Sequence, residues 1–331
     1  MNQAQYVQPE IEVLLATFNG ARFLRSQIES ILGQSWQALR ILARDDGSTD
    51  ETGNLLAEYA ERFPKRFRVL ATDEPTGSAK LNFKKLLGHS TARWVAFADQ
   101  DDVWRPEKLQ LCAAAMERLE HKYGMDKPLL IFSDLEIVSE TLETIHHSFW
   151  AHEGFVPATA HRLERLLLQN VVTGCTMLIN RPLVEMAEHM PPEALMHDQW
   201  IALLACLFGK ADSLPQPLVR YRQHADNVVG ASRRMTLRRI MRGLSNKGRD
   251  TQWKLSERQA VALQQSSAQG RTLPSLTAAH SKTICAFVRS GGSPHRLTRI
   301  LTAIRYGIVY SSLRRTLTWI WYLWNKEARS S

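Results

Sequence analysis

Three carboxylates fall within four residues at Asp99-Gln100-Asp101-Asp102, directly after the apolar run Trp94-Val95-Ala96-Phe97-Ala98. Carboxylates this close repel one another unless a cation lies among them. Oxygen donors suit a hard divalent ion, Mg2+ or Mn2+, which keeps coordination positions for substrate phosphates. The competing reading is a solvated acidic turn that caps a helix starting near Pro106 and Glu107. A second acidic pair, Asp45-Asp46, leads into Gly47-Ser48-Thr49-Asp50, where turn chemistry accounts for one carboxylate more readily than for two. Asp198 follows His197 at the head of an apolar stretch over residues 201–208, a place for a helix cap or for a general base. His224 ends the strand-like Tyr221-Arg222-Gln223-His224 and is open to metal ligation, proton donation or an ordinary hydrogen bond. Cys112, Cys175, Cys206 and Cys285 are scattered without a Cys-x-x-Cys pair, so neither a zinc knuckle nor a disulfide framework is expected.

The elements that must carry these residues follow from hydrophobic patterning. Ile11-Glu12-Val13-Leu14-Leu15-Ala16 reads as a strand, Thr17-Phe18-Asn19-Gly20 as a turn, and Leu24, Ile28, Ile31 and Leu32 as one helix face. Leu39-Arg40-Ile41-Leu42-Ala43 is a second strand; Ser48 and Glu51 have capping-box spacing for a helix that stops before Pro64. Phe67-Arg68-Val69-Leu70-Ala71, the run at Trp94, and Leu129-Leu130-Ile131-Phe132 add further strands between helical segments. This alternation predicts an α/β fold, a mostly parallel, Rossmann-like sheet flanked by helices, with acids emerging at strand ends where such sheets bind ligands. The first loop lacks Gly-x-Gly-x-x-Gly, so the usual dinucleotide fingerprint is absent. Residues 161–170 read as a helix and 171–179 as a strand containing a small-residue turn. Segments 235–265 and 296–325 read as helices, broken near Ser290-Gly291-Gly292-Ser293-Pro294.

The chain of 331 residues carries a net charge of +9, unevenly spread: residues 231–331 hold 19 Lys or Arg against 3 Asp or Glu, a balance of +16, which leaves −7 for residues 1–230. An acidic domain over 1–230 and a basic helical C-terminal extension over 231–331 are the expected organisation. Tyr306, Val309, Tyr310, Leu313, Leu317, Ile320, Trp321 and Trp324 share one face of a single helix in this reading, with Arg315 and Lys326 opposite. That pattern suits a helix lying on an anionic membrane surface, and no apolar run is long enough to span one. Packing on the catalytic domain is the alternative. The scattered cysteines suit a reducing compartment and the polar N-terminus lacks the pattern of a signal peptide, so the expectation is a cytoplasmic chain, peripheral at the inner face of the membrane through its basic helices.

The order Thr17-Phe18-Asn19, Asp45-Asp46-Gly47-Ser48-Thr49-Asp50, Asp99-Gln100-Asp101-Asp102 and His197-Asp198 resembles the family 2 inverting glycosyltransferases, over roughly residues 10–230. Asp99-Gln100-Asp101-Asp102-Val103-Trp104, Gly174-Cys175-Thr176-Met177 and Tyr221-Arg222-Gln223-His224 look most like the rhamnosyltransferase branch. The resemblance implies a GT-A fold and transfer of a sugar, L-rhamnose from dTDP-rhamnose, to a lipid-linked glycan in bacterial surface polysaccharide synthesis. It implies a Mg2+ or Mn2+ ion held by Asp99, Asp101 and Asp102, with His224 as a further ligand, and Asp198 as the catalytic base. Thr17, Asn19, Asp46 and Asp99 would meet the nucleotide sugar. Lys80 either reaches the base or phosphate or is solvated, and Trp200 and Trp104 either wall the sugar ring or pack in the core. A UDP-hexose or UDP-GlcNAc transferase of the same fold and a catalytically silent sugar-nucleotide scaffold are the rivals. Nucleic acid is a disfavoured partner for the basic tail.

Overall fold

The computed structural model describes residues 9–72, 74–224, 246–270 and 272–325. Strands β1 (Ile11–Thr17), β2 (Leu39–Asp45), β3 (Phe67–Val69) and β4 (Trp94–Ala98) run parallel in the order β3-β2-β1-β4. All seven residues of β1 and all five of β4 are buried, as continuous apolar strands with both faces covered should be. Helices α1 (Ala21–Leu32), α2 (Thr52–Arg62) and α3 (Ala79–Leu87) make the crossovers. The register pairs Thr17 with Asp45 and Leu15 with Ala98. The carboxyl ends of β1, β2 and β4 therefore open side by side, and the loops that bear Asn19, Asp46 and Asp99 begin on one edge.

Beyond β4 the sheet is mixed. Strands β5 (Val103–Trp104), β6 (Leu129–Val138), β7 (Thr144–His146), β8 (Leu178–Asn180) and β9 (Lys210–Arg222) extend it in the order β4-β8-β6-β9-β5, with β7 on β6. Only β6 and β9 are parallel neighbours there; β8 runs antiparallel to both β4 and β6. The parallel expectation thus holds up to β4, where each strand is followed by a crossover helix. Between β5 and β9 lie α4 (Lys108–Tyr123), α5 (Phe149–Glu153), α6 (Leu163–Leu166), α7 (Arg181–Ala187) and α8 (His197–Phe208). The long helix read over 161–170 is instead a 3-10 turn, Pro157–His161, followed by α6, and the strand read over 171–179 is a 3-10 turn, Gly174–Thr176, before β8.

The sheet separates two cores. Val13 and Leu15 face one with α1 and α4, while Leu14 faces the other with α3, α8 and the C-terminal helices. Those helices are α9 (Asn246–Gln269), α10 (Ala278–Gly292), α11 (Arg296–Arg305) and α12 (Leu313–Asn325). Trp253 of α9 stacks on Phe287 at 4.3 Å and on Trp319 at 4.9 Å between ring centroids. Gly291 allows that closeness, because a Cβ there would lie 1.9 Å from the Trp253 Nε1.

Two local expectations give way. The capping box does not form: α2 begins at Thr52, and Ser48 instead donates to Asp45 Oδ1 at 2.6 Å while Asp50 accepts from Thr52 N at 3.0 Å. The single helix carrying the face from Tyr306 to Trp324 is broken, since Gly307 takes φ +67 and the chain turns between α11 and α12. Lys326 and residues 235–245 lie outside the described residues.

Candidate active site

The edge formed by β1, β2 and β4 is tied together by its own polar groups. Thr17 Oγ1 lies 2.9 Å from Asp45 Oδ1, which holds the first loop against the second. Asn19 sits in the left-handed region at φ 48, a conformation asparagine tolerates, and its Oδ1 accepts from Thr49 N at 2.8 Å. Gln100 clasps Phe18, accepting from its N–H at 2.7 Å and donating to its carbonyl at 2.9 Å. Thr17, Asn19 and Asp99 thus converge at one rim.

Asp46 does not join that rim as an open carboxylate. It is buried at 4% exposure, paired with Arg44 at 2.8 Å, and accepts from Thr76 N at 2.7 Å and Thr76 Oγ1 at 2.9 Å. Burial alone would raise its pKa, but the Thr76 and Arg44 contacts outweigh it and hold the carboxyl below its usual value. Its oxygens anchor the loop after β3. Lys80 is likewise committed: its Nζ donates to Pro192 O at 2.7 Å and Ala194 O at 2.6 Å, fastening α3 to the segment before α8. Trp200 is 1% exposed, packed inside the core with no face open to a sugar. Trp104 is also buried, its ring covered by the Lys108 ammonium at 3.1 Å.

The acidic cluster itself is brought together. Asp99 is partly exposed; burial pushes its carboxyl up to about 7, and the negative charges of Asp101 and Asp198 add to the effect. Asp102 is fully buried and raised well above its usual value by burial and by Asp101 and Asp99. Its Oδ1 accepts from Arg222 N at 3.3 Å, which ties the end of β9 to the motif. The Arg222 Nε donates to Asp101 O at 2.8 Å, a positioning contact that the sequence reading did not assign. β9 then delivers His224, whose Nε2 lies 2.8 Å from Asp101 Oδ2.

Donor atoms of Asp99, Asp102 and Cys175 lie within 4.8 Å of one another. The buried Cys175 thiol is held well above its usual pKa, first by burial and then by the nearby aspartates. The hard donors of this group are the carboxylate oxygens of Asp99 and Asp102. A cluster of acids that raise one another's pKa fits a hard divalent cation, which would relieve the repulsion.

Asp198 stands across from Asp99 in the first turn of α8. Gln199 N donates to Oδ1 at 2.6 Å and Gly174 N to Oδ2 at 3.2 Å. Helix-end amides should lower this pKa, yet burial wins and pushes the carboxyl up to about 6. Gly174 must be glycine for this approach, since a Cβ would come 2.7 Å from His197 Nε2 and 3.6 Å from Asp198 Cβ. The small-residue turn at Gly174-Cys175-Thr176 was the available signal for this role. His197 itself is buried against Phe83 and Phe97, and burial pushes it down to about 3, so it packs as a neutral ring.

The arrangement has counterparts among known proteins. The profile of glycosyl transferase family 2 matches residues 12–185. The dTDP-rhamnosyl transferase RfbG of Shigella flexneri is 24% identical over 230 residues, 66% of this chain and 74% of that one. The matched stretches cover between 40% and 74% of the first four curated relatives, two thirds or less in all but one of them. In structure, TarS residues 1–349 from S. aureus, in complex with UDP-GlcNAc, superpose with a TM-score of 0.55 at 14% identity, over 90% of this chain and 80% of that one. The mannosyltransferase PcManGT of Pyrobaculum calidifontis, in complex with GDP-Man and Mn2+, gives 0.51 at 16% identity, over 91% and 74%. Likeness at this level establishes a shared GT-A fold, and the profile covers more than half the chain. With an acidic strand-end cluster facing a carboxylate at the head of α8, this chain belongs to glycosyl transferase family 2.

Proposed function

We propose that the protein transfers a sugar from a nucleoside diphosphate donor to a hydroxyl acceptor by a single inverting displacement, with Asp198 as general base. The observation that carries this reading is the Asp198 carboxyl, pushed up to about 6 and held by two amides opposite Asp99. A base titrating near neutrality suits removal of a hydroxyl proton. Asp198 takes that proton as the acceptor oxygen forms its bond to the anomeric carbon. The bond from that carbon to the diphosphate oxygen breaks on the opposite face, and the nucleoside diphosphate leaves. A Mg2+ or Mn2+ ion held by Asp99, Asp101 and Asp102, with His224 as a further ligand, would supply charge neutralisation for the leaving diphosphate. Asp102 also accepts from Arg222 N, which ties the end of β9 to the motif.

L-rhamnose from dTDP-rhamnose is the donor favoured by the RfbG likeness, and a lipid-linked glycan is the acceptor class we assign with it. A UDP-sugar donor is the second reading, supported by the UDP-GlcNAc complex of TarS. Thermal unfolding with dTDP, UDP or GDP, each with and without Mg2+ or Mn2+, separates them, because a ligand bound to the folded state raises the melting temperature. A metal-dependent shift with dTDP supports rhamnose, and a shift with UDP alone replaces the donor. No shift with any nucleotide removes the transfer reading and the sugar-nucleotide scaffold with it. Asp198→Asn should still bind nucleotide while turnover falls about 10²–10⁴-fold.

A further inference from the structure

We propose that the α11–α12 hairpin is a docking surface for an anionic lipid bilayer. The two helices are in contact: Arg299 Nη1 donates to Leu323 O at 3.2 Å, and the Arg296 guanidinium stands 5.7 Å from the Trp324 ring centroid. Their inner faces are consumed by the core through Ala303, Trp319, Tyr322 and Leu323. Their outer faces carry Leu297, Leu301 and Ile304 on α11 and Leu317, Trp321 and Trp324 on α12, each set at i, i+4, i+7 spacing. These six side chains are between 43% and 65% exposed. Two parallel apolar stripes on adjacent helices make one continuous patch, which among the described residues nothing covers.

The surroundings select the occupant. Arg296 and Arg305 are exposed on either side of the α11 stripe, and Lys282 and Arg289 are exposed on α10. A second copy on the same patch would set these cations against their own counterparts, which repel. Nucleic acid would answer the charge and leave the leucines and tryptophans exposed. A bilayer with anionic headgroups meets both: tryptophan favours the headgroup level, leucine the acyl boundary, and arginine the surface charge. No helix of the described residues is long and apolar enough to cross a membrane, so the hairpin would lie on the surface. The inference deepens the transfer reading, resting on it only for the purpose of the surface, which would bring the site to a lipid-linked acceptor.

The test is flotation of the full chain with vesicles of phosphatidylcholine alone or with added phosphatidylglycerol, at low and high salt. The wild type should float with the anionic vesicles. Leu301→Ser combined with Trp321→Ser should weaken binding at least about tenfold at an unchanged melting temperature, because both side chains are already exposed. Arg296→Gln with Arg305→Gln should weaken it on the order of tenfold at low salt and less at high salt. Asp198→Asn should float as the wild type does, which separates docking from turnover. The proposal is overturned if the wild type stays with the lipid-free fraction, if the Leu301/Trp321 variant floats equally, or if lipid-free protein is a dimer that this variant converts to monomer.

Discussion

In the folded chain the Asp198 carboxyl titrates at about 6, above its ordinary 3.8, because burial at the head of α8 costs more than the Gly174 and Gln199 amides return. Activity and stability then respond to pH in opposite directions. A base works when deprotonated, so kcat/KM should rise as pH climbs through about 6 and level off above it. The folded state binds the proton more tightly than the unfolded chain does. The stabilisation from protonated Asp198 is therefore complete below about 3.8 and is lost as pH rises through about 6. At pH 8 the ionised, poorly solvated carboxylate weighs against folding, and Asp198→Asn should raise stability by on the order of 2 kcal/mol while abolishing most turnover. Denaturant unfolding of both proteins at pH 5 and pH 8 checks it: the gain should appear at pH 8 and shrink at pH 5. An equal effect at both would mean that Asp198 is not strained by its charge.

At the scale of elements, α3 acts as a strut beneath α8. Lys80 Nζ holds the carbonyls of Pro192 and Ala194, and Lys84 Nζ holds that of Met190 at 2.6 Å, so two ammonium groups one turn apart fix the segment that leads into His197 and Asp198. Lys80→Met should lower kcat several-fold through a displaced Asp198 and leave nucleotide affinity within about twofold, because a positioning group moves kcat more than ground-state binding. A large loss of nucleotide affinity would instead return Lys80 to the donor site. This contact also shows where sequence reading ends. The ends of β1, β2 and β4 are legible because each apolar run stops at turn residues and acids, a local signal; Asp198 is legible by its place in the order of motifs. Lys80 and Asp46 take partners, Pro192 and Arg44 with Thr76, that tertiary packing sets and no local pattern shows, while Trp200 takes the core position, one of the two readings open to it. The capping box fails for a reason of another kind: the Ser48 oxygen accepts from Asn19 N at 2.7 Å while its hydroxyl donates to Asp45, so it is turned to the first loop. Gly307, at φ +67, marked the break in the C-terminal helix, and its signal was already in the sequence as a glycine within the apolar pattern.

At the scale of the molecule, the charge boundary near residue 230 is not a boundary of packing. Trp253, Leu263, Phe287, Trp319 and Tyr322 belong to the same apolar cluster as Leu163, Leu166, Leu203 and Phe97. Polar contacts cross the same junction: Leu195 N donates to Gln259 Oε1 at 2.8 Å, Arg165 Nη1 donates to Tyr310 O at 2.6 Å, and Arg315 pairs with Glu153 at 2.7 Å. A cluster of this kind loses cohesion when half its members leave, because each exposed apolar side chain returns roughly 1.5–3 kcal/mol to the unfolded state. The full chain should therefore unfold in one cooperative transition, whereas a chain ended at residue 245 should melt at least about 10 °C lower and collect in the insoluble fraction. Differential scanning calorimetry of the two chains decides the point. Two transitions in the full chain, the upper one kept by residues 1–245, would make α9–α12 an autonomous appendage, and the catalytic sheet would need no cover from them.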